Sequence, residues 1–224
     1  QPKGLEVVYE KVTNRYFIHC PVGKDWFPES DRRNENQVSL IKTKTISLDP
    51  GIRKFLTGYD PSGKSIKFGE GACHHLSRLL CSVDELTGKE RLRQWWKIKN
   101  LVSELHWKLS DYLTTRYNHI LLPDFRTSQM VRKGRPLSKK IRRLMNMFSF
   151  HSFKTKMMWK CSERERNLYI VDESYTSKTC GRCGQLMDIQ GSEVYECGIC
   201  GLVCDRDVNG ARNILIKNIT LRSE

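Results

Sequence analysis

Four cysteines near the end of the chain constrain its fold more than any other feature. Cys180, Cys183, Cys197 and Cys200 form two C-x2-C pairs 13 residues apart, and each is threaded with glycine in "CGRCG" and "CGICG". A turn of this kind brings two thiolates and their backbone N–H groups onto one ion, and two such turns complete a tetrahedral four-thiolate zinc site. A closed site leaves no position for a substrate, so the expected Zn2+ is structural and staples a lobe too small to build its own core. The lobe must fit between an apolar strand, "LYIV", and a closing helical segment, "DVNGARNILI". Nine cysteines is an odd number, and the paired spacing favours metal over disulfides. Cys20, Cys73, Cys81, Cys161 and Cys204 are expected to be packed, unreactive thiols.

The rest of the chain supplies the frame for that lobe. "LEVVYEKVTNRYFIHCPV" alternates about a polar turn and reads as a β-hairpin from Leu5 to Val22. The polar stretch "GKDWFPESDRRNENQ" then sets it apart as a piece of another domain. "KTISLDPG" and "KFLTGYDPSGKSIKFG" give three short strands in a meander from Thr43 to Phe68, with turns at "DPG" and "DPSGK". From Leu76 to Tyr117 the period becomes helical, with Leu92, Trp95, Ile98, Val102, Leu105, Leu109 and Leu113 forming an apolar stripe, so one long helix is expected across a face of the sheet. "HILLPDF" is a buried parallel strand ended by Pro123, followed by a second helix through Arg166, the strand "NLYIV", the cysteine lobe and the closing helix. The order β-β-β-α-β-α-β-α is that of an α/β, RNase H-like fold: a mixed sheet with helices on both faces.

Lysine and arginine outnumber aspartate and glutamate by 39 to 25, a formal charge of +14, which points to nucleic acid ahead of a membrane surface. No stretch approaches the roughly 20 apolar residues of a membrane span, and a soluble, intracellular protein is expected. The chain starts without methionine, directly in a strand pattern, and is expected to be a piece of a longer protein. Arg132, Lys133, Arg135, Lys139, Lys140, Arg142 and Arg143 follow one another without an intervening acid. They read as a solvated helix start, a nuclear-import-like cluster or a phosphate-tracking surface. Lys178 and Arg182, beside the first cysteine pair, would hold single-stranded DNA or solvate the lobe. Of the adjacent Trp95 and Trp96, one faces the core and the other is available for stacking.

The acids carry the chemistry. Asp49 ends "TISL" just before Pro50-Gly51, where a lone aspartate would be only a turn former. Asp207 opens the closing helix, where an N-cap role would explain it, yet Asn209, Gly210 and Ala211 let that helix approach a sheet closely. Two such aspartates with a third acid from a central strand suit a two-metal phosphodiesterase. Asp124, Asp172 and Glu173 are the candidates for the third.

"SLDPGIRKFLTGYDPSG", "VDESYTSKTCGRCG" and "CGICGLVCDRDVNGARNIL" resemble the RuvC-like nuclease half of RNA-guided TnpB proteins, and most closely their eukaryotic relatives, the Fanzor nucleases. The resemblance covers Thr43 to Lys217. It implies three acids holding Mg2+ for DNA hydrolysis, a zinc ribbon between the last strand and final helix, and an upstream β-barrel wedge that binds guide RNA. By motif position Asp49 is the first acid, Asp207 the third, and the four cysteines are the ribbon ligands. Where the family places glutamate, at the end of the middle strand, this chain has Pro123, and Glu173 stands where some members carry a relocated glutamate. Neighbouring strands lie about 4.8 Å apart, within reach of a glutamate side chain. Strand alternation turns Asp124 to the other face and gives Asp172 the opposite parity, so Glu173 is preferred.

The resemblance divides the chain into the end of the wedge plus a linker (1–42), the nuclease core (43–174), the zinc ribbon (175–204) and the final core helix (205–224). It implies the catalytic half of an RNA-guided DNA endonuclease, with guide RNA and target DNA as partners and an N-terminal half outside this chain. The location would be nuclear in a eukaryote and otherwise cytoplasmic. A decayed or domesticated nucleic-acid-binding protein is the alternative that Pro123 motivates, and a guide-free nuclease of the same fold is a third reading.

Overall fold

In a computed structural model, residues 6–11, 14–19, 44–125, 138–187 and 192–220 are described. The hairpin is present as β1 (Glu6–Glu10) and β2 (Arg15–His19), paired antiparallel from Glu6↔His19 to Glu10↔Arg15. The residues from Cys20 to Thr43 lie outside the described set.

Alternation in "TISLDP" makes β3 (Thr45–Pro50) the middle strand of a five-stranded sheet, because it offers apolar side chains to one face and small or acidic ones to the other. The turns predicted at "DPG" and "DPSGK" connect it to β4 (Leu56–Tyr59) and β5 (Ser65–Phe68), both antiparallel. On its other side β3 pairs parallel with β6 (His119–Pro123), which pairs parallel with β7 (Asn167–Val171). The strand order is β5-β4-β3-β6-β7, the mixed sheet expected. The parallel strands β6 and β7 need crossovers, and helices supply them.

Ile46, Leu48, Ile120 and Leu122 face the larger core, which is built with Phe55 and the helices between the strands. Phe55 stacks on Phe150 at 4.9 Å and meets Phe148 and Phe153 edge-on. Such geometry adds about 0.5–1.5 kcal/mol per ring pair beyond area burial. Leu121 and Val171, of opposite parity, face a smaller core against Ile214 and Leu215 of the closing helix. Helices therefore cover both faces.

The helical layer departs from expectation in three places. The stripe expected to form one helix from Leu76 to Tyr117 is divided into α1 (Glu70–Glu85) and α2 (Gly88–Arg116), because Leu86 and Thr87 are extended and Gly88 takes a positive φ of 54°. Leu92 is exposed; the buried face of α2 begins at Ile98. The second expected helix is likewise two, α3 (Lys139–Phe148) and α4 (Phe150–Glu163), separated by Ser149 in a left-handed conformation. Phe148 and Phe150 both reach the core from either side of that kink, so the break serves packing.

Beyond β7 the lobe carries a small hairpin of β8 (Val194–Glu196) and β9 (Val203–Asp205). The closing helix α5 (Arg206–Thr220) then returns across β3 and β4. Among the described residues, no helix is long and apolar enough to cross a membrane.

Candidate functional site

The two C-x2-C turns fold alike, as their matched sequences require. In the first, the Cys180 N–H donates to the Gln185 carbonyl and the Gly184 N–H to the Cys180 carbonyl; in the second, Cys197 donates to Leu202 and Gly201 to Cys197. Gly184 and Gly201 hold positive φ of 77° and 70°, which a side chain would disfavour. The turns face each other with Sγ–Sγ distances of 3.6 Å for Cys180–Cys200 and 3.7 Å for Cys183–Cys197, and all four sulfurs lie within 4.8 Å of one another. A tetrahedron with metal–sulfur bonds of about 2.3 Å has sulfur edges of roughly 3.8 Å, so the quartet could hold an ion such as zinc. Burial opposes ionisation of Cys180, but the N–H groups of Cys183 and Arg182 outweigh it and bring the thiol down to about 6.

The other thiols stand mostly as expected. Burial pushes Cys73 and Cys161 up to about 12, and Cys204 packs beside the quartet. Cys81 is a correction: it is exposed on α1, one residue past Leu80 and so about 100° round the helix from it, off the buried face carried by Cys73, Leu76, Leu80 and Val83. Cys20 lies outside the described residues.

Buried asparagines dock the lobe to α5. Asn209 accepts from the Gly181 N–H and donates to the Thr179 carbonyl, and Asn213 donates to the Thr176 and Thr179 carbonyls. A Cβ on Gly181 would lie 2.9 Å from the Asn209 amide oxygen, so glycine is required for this approach. The metal-type turn is thereby tied to the helix that carries Asp207.

Asp49 and Ser47 share the β3 face that meets α5. Ser47 Oγ donates to the Ala211 carbonyl at 2.7 Å, and a Cβ on Gly210 would lie 2.8 Å from Asp49 Oδ2. The small residues singled out in "NGARN" thus let the helix backbone close onto the aspartate. Burial first, then the charges of Asp207 and Glu173, hold the Asp49 carboxyl well above the usual carboxylate range. The charges of Asp207 and Glu173 thus both reach Asp49. Their oxygens stand wider than the sulfurs, since among the described residues only the cysteine quartet brings three or more metal-type ligand atoms within 4.8 Å.

Asp207 is not the N-cap of α5. Asp205 is: its Oδ1 accepts from the Asp207 and Val208 N–H groups. Its Oδ2 takes Lys67 at 2.8 Å and the buried Lys54 at 3.0 Å, and Lys54 also reaches Asp207 Oδ2 at 3.2 Å. Burial opposes charge on Asp205 and Lys54, but the ion pairs prevail, holding Asp205 below and Lys54 above their ordinary values. Lys54 and Asp205 were not identified from the sequence as site residues. "DRDV" carried the signal, since the aspartate two residues before another at a helix start takes the cap and frees its neighbour.

The three acids considered for the middle position separate clearly. Asp124, just past the end of β6, is held by Lys154 of α4 at 3.0 Å. Asp172 is held by Lys217 at 2.6 Å and by the Ser174 hydroxyl and N–H; Lys217 first, then Ser174, keeps the carboxyl down at about 2. Lys217 belongs to α5, so Asp172 is set aside by this pairing and not by strand parity, because the chain turns after Val171. Glu173 is partly buried and is raised by burial first, then by the charges of Asp172 and Asp124. No ion pair holds it among the described residues.

Arg132, Lys133 and Arg135 lie outside the described residues. Lys139 and Lys140 are exposed in the first turn of α3, which Ser138 caps through the Ile141 N–H. Arg143 pairs with Asp84 and lies over the Trp95 ring at 5.6 Å. Trp95 packs against the larger core, as expected of one of the tryptophan pair, and Trp96 has Lys99 over its ring. Lys178 and Arg182 are exposed on the cysteine lobe.

The family model described as "Cas12f1-like, TNB domain" matches residues 150–214, a span that includes the cysteine quartet, Glu173 and Asp207. A protein named "Putative transposase" from Paramecium bursaria Chlorella virus 1 is 33% identical over 196 residues, 79% of this chain and 44% of that protein. A TnpB-like protein of Acanthamoeba polyphaga mimivirus is 24% identical over 95% of this chain and 43% of its own length. The CRISPR-associated endodeoxyribonuclease Cas12f1 of Sulfoacidibacillus thermotolerans is 30% identical over 79 residues, 34% of this chain and 19% of that protein. This chain thus spans less than half the length of the curated relatives it matches most fully. Among solved structures, a chain of a Cas12f1–sgRNA–target DNA complex aligns with a TM-score of 0.57 at 17% identity, covering 75% of this chain and 48% of that one. That likeness is one of fold.

Proposed function

We propose that this chain, which belongs to the TnpB/Cas12f-like family, is the catalytic half of an RNA-guided DNA endonuclease of the RuvC, RNase H-like kind. The observation that carries the reading is the closure of α5 onto Asp49 at Gly210, which sets the helix that carries Asp207 against the β3 acid, while the charge of Glu173, just past the end of β7 two strands over, also reaches Asp49. Carboxylates crowded together with their charges only partly neutralised are a site for hard cations. Mg2+ held there would activate a water and stabilise the leaving oxygen of a DNA phosphodiester.

The chain's own residues prepare that site. Gly210 lets α5 close on Asp49, while Asp205 takes over the helix cap and so leaves Asp207 facing the cluster. Lys54 neutralises part of the charge from beneath. Glu173 fills the role that Pro123 cannot: its charge reaches Asp49, and among the described residues no ion pair holds it. The cysteine quartet would bind structural Zn2+ and keep the ribbon docked through Asn209 and Asn213, next to the acids, where Lys178 and Arg182 would contact the DNA strand. Lys139, Lys140, Arg142 and Arg143, with Arg132, Lys133 and Arg135 before them, would lie against guide RNA or its duplex with the target. In this reading residues 1–42 end a β-barrel wedge, residues 43–174 and 205–224 form the nuclease core, and residues 175–204 form the ribbon. The affinity to Fanzor nucleases, which the relocated Glu173 favours, belongs to the same proposal.

The test is Mg2+-dependent cleavage of a guide-matched duplex by the full-length protein carrying Glu173→Ala or Asp124→Ala. Loss with Glu173→Ala and retention with Asp124→Ala is expected. Full activity of the Glu173 variant would sink the assignment. Pro123 favours one rival reading, a protein that binds nucleic acid without cutting, and an uncut duplex that is still bound by the wild-type complex would establish it.

A further inference from the structure

On the side of the sheet away from α5 and the acids, helices α2, α3 and α4 line an open cavity of about 1020 Å³. It has three chemically distinct parts. Ile98 and Val102, both buried, and Trp95 with Met147 give an apolar floor and wall. Lys99, Lys139, Arg142 and Lys156 supply cations, Arg143 being engaged by Asp84 and the Trp95 ring, and no acidic residue lines it among the described residues. His106 lies at the base, only 1% exposed.

The polar atoms of this cavity are incompletely satisfied. His106 Nε2 faces the Phe148 carbonyl at 3.0 Å, so in the neutral ring Nε2 carries the proton and Nδ1 presents a lone pair. That Nδ1 is buried without a hydrogen-bond partner, and so is Arg142 Nε. Burial first, then the charge of Lys156, takes His106 down to about 4, which keeps it neutral. Lys156 itself is held by Ser103, through Oγ at 2.7 Å and the carbonyl at 3.3 Å, with no carboxylate against it among the described residues. Buried polar groups are nearly always paired, so two orphans in one cavity point to an occupant.

An occupant must bring an anion for the cations, a flat apolar face for the wall, and an N–H donor for His106. Inorganic phosphate supplies only the first, and a fatty acid lacks the donor. A nucleotide has all three, and the volume accommodates one, since sites for molecules of that size run to about 300–1,000 Å³. We propose that the cavity binds a single nucleotide unit taken out of its stack, with its base against Trp95, Ile98 and Val102 and its phosphate on the Arg142 and Lys156 side. The site is independent of the acid cluster, so its test does not depend on cleavage.

The experiment measures binding of UMP and AMP by calorimetry to the metal-loaded chain, against ribose 5-phosphate, uridine and a hepta-glutamate peptide. Ribo- and deoxyribo-pentamers with and without a central abasic residue then identify the kind of strand. Base stacking contributes about 1–3 kcal/mol per base. A nucleotide should therefore bind about 5- to 150-fold more tightly than ribose 5-phosphate, and an abasic pentamer should lose about the same factor. Ser152→Trp, which fills the cavity from α4, and Lys156→Met should each weaken nucleotide binding about tenfold or more, while Ser152→Ala leaves it unchanged. Equal binding of ribose 5-phosphate and nucleotide would overturn the proposal in favour of plain charge attraction. Tighter binding of the acidic peptide would overturn it in favour of a protein partner. Should Ser152→Trp not fold, the ribose 5-phosphate comparison and Lys156→Met decide alone.

Discussion

Replacing Gly210 by alanine isolates the geometry of the acid cluster from the stability of the helix that carries it. In an ordinary helix interior Gly→Ala stabilises by about 1 kcal/mol. Here the new Cβ would stand 2.8 Å from Asp49 Oδ2, about 0.6 Å inside the 3.4 Å at which ordinary contact begins. Either the carboxylate turns aside or α5 lifts from β3 by a similar amount. A misplacement of about 1 Å in a catalytic array costs on the order of 100-fold in rate, so a displacement of this size predicts a loss of roughly 10- to 100-fold. The assay is single-turnover cleavage of a guide-matched duplex by the full-length, RNA-loaded protein at saturating Mg2+, with thermal melting in parallel. Gly71→Ala on α1 is the control, since nothing lies within 4 Å of its added Cβ and it should gain stability without changing the rate. Cleavage by the Gly210 variant within twofold of wild type, at an unchanged melting temperature, would refute the reasoning.

The Lys54 network gives a second test. Its side chain is 6% exposed and its two partners 26% and 28%, so Lys54→Met should cost about 2–4 kcal/mol in chemical denaturation at pH 7. Asp205 sits below its ordinary value, so its share is present above an unfolded pKa of about 3.9 and is lost as pH falls below it. Lys54 sits above its ordinary value, so its share is present below about 10.4 and is lost as pH rises through the folded value. The variant should flatten both limbs of the stability–pH curve, and a wild-type profile would contradict the pairing. For the cysteine lobe, a high-affinity zinc chelator should release one equivalent of zinc per chain and sharply raise amide exchange in Thr179–Leu202, with β3, β6 and β7 protected. Unchanged exchange in the lobe after complete metal release would show that the quartet does not organise it.

What the sequence revealed and what it hid follow from how local each signal is. The cysteine quartet was legible because ligand spacing, glycine turns and chemistry all lie within 21 residues, and the structure brings the four sulfurs together. The sheet was legible because alternation in "TISL" and the short apolar runs at Ile120 and Leu168 each have one physical solution. The breaks at Leu86–Gly88 and Ser149 were not, because the apolar spacing continues through both and only backbone conformation marks them. Lys54 escaped for another reason. Its partners lie 151 and 153 residues away, a pairing that no local pattern encodes. The cap at Asp205 is only half legible, because "DRD" offers two aspartates to the capping rule and only the helix start at Arg206 decides between them. The cavity between α2, α3 and α4 arises only from three helices meeting, and in sequence its cations read as parts of solvated helix faces.

The central claim is that Asp49, Glu173 and Asp207 share divalent cations. Anomalous scattering from crystals of the zinc-loaded protein soaked in Mn2+, recorded at the manganese and zinc edges, tests it most directly. Zinc should appear only among Cys180, Cys183, Cys197 and Cys200, and manganese should lie between the carboxylates of Asp49 and Asp207 with Glu173 as a ligand. Manganese bound instead by Asp124 or Asp172, with Glu173 turned away, would contradict the account.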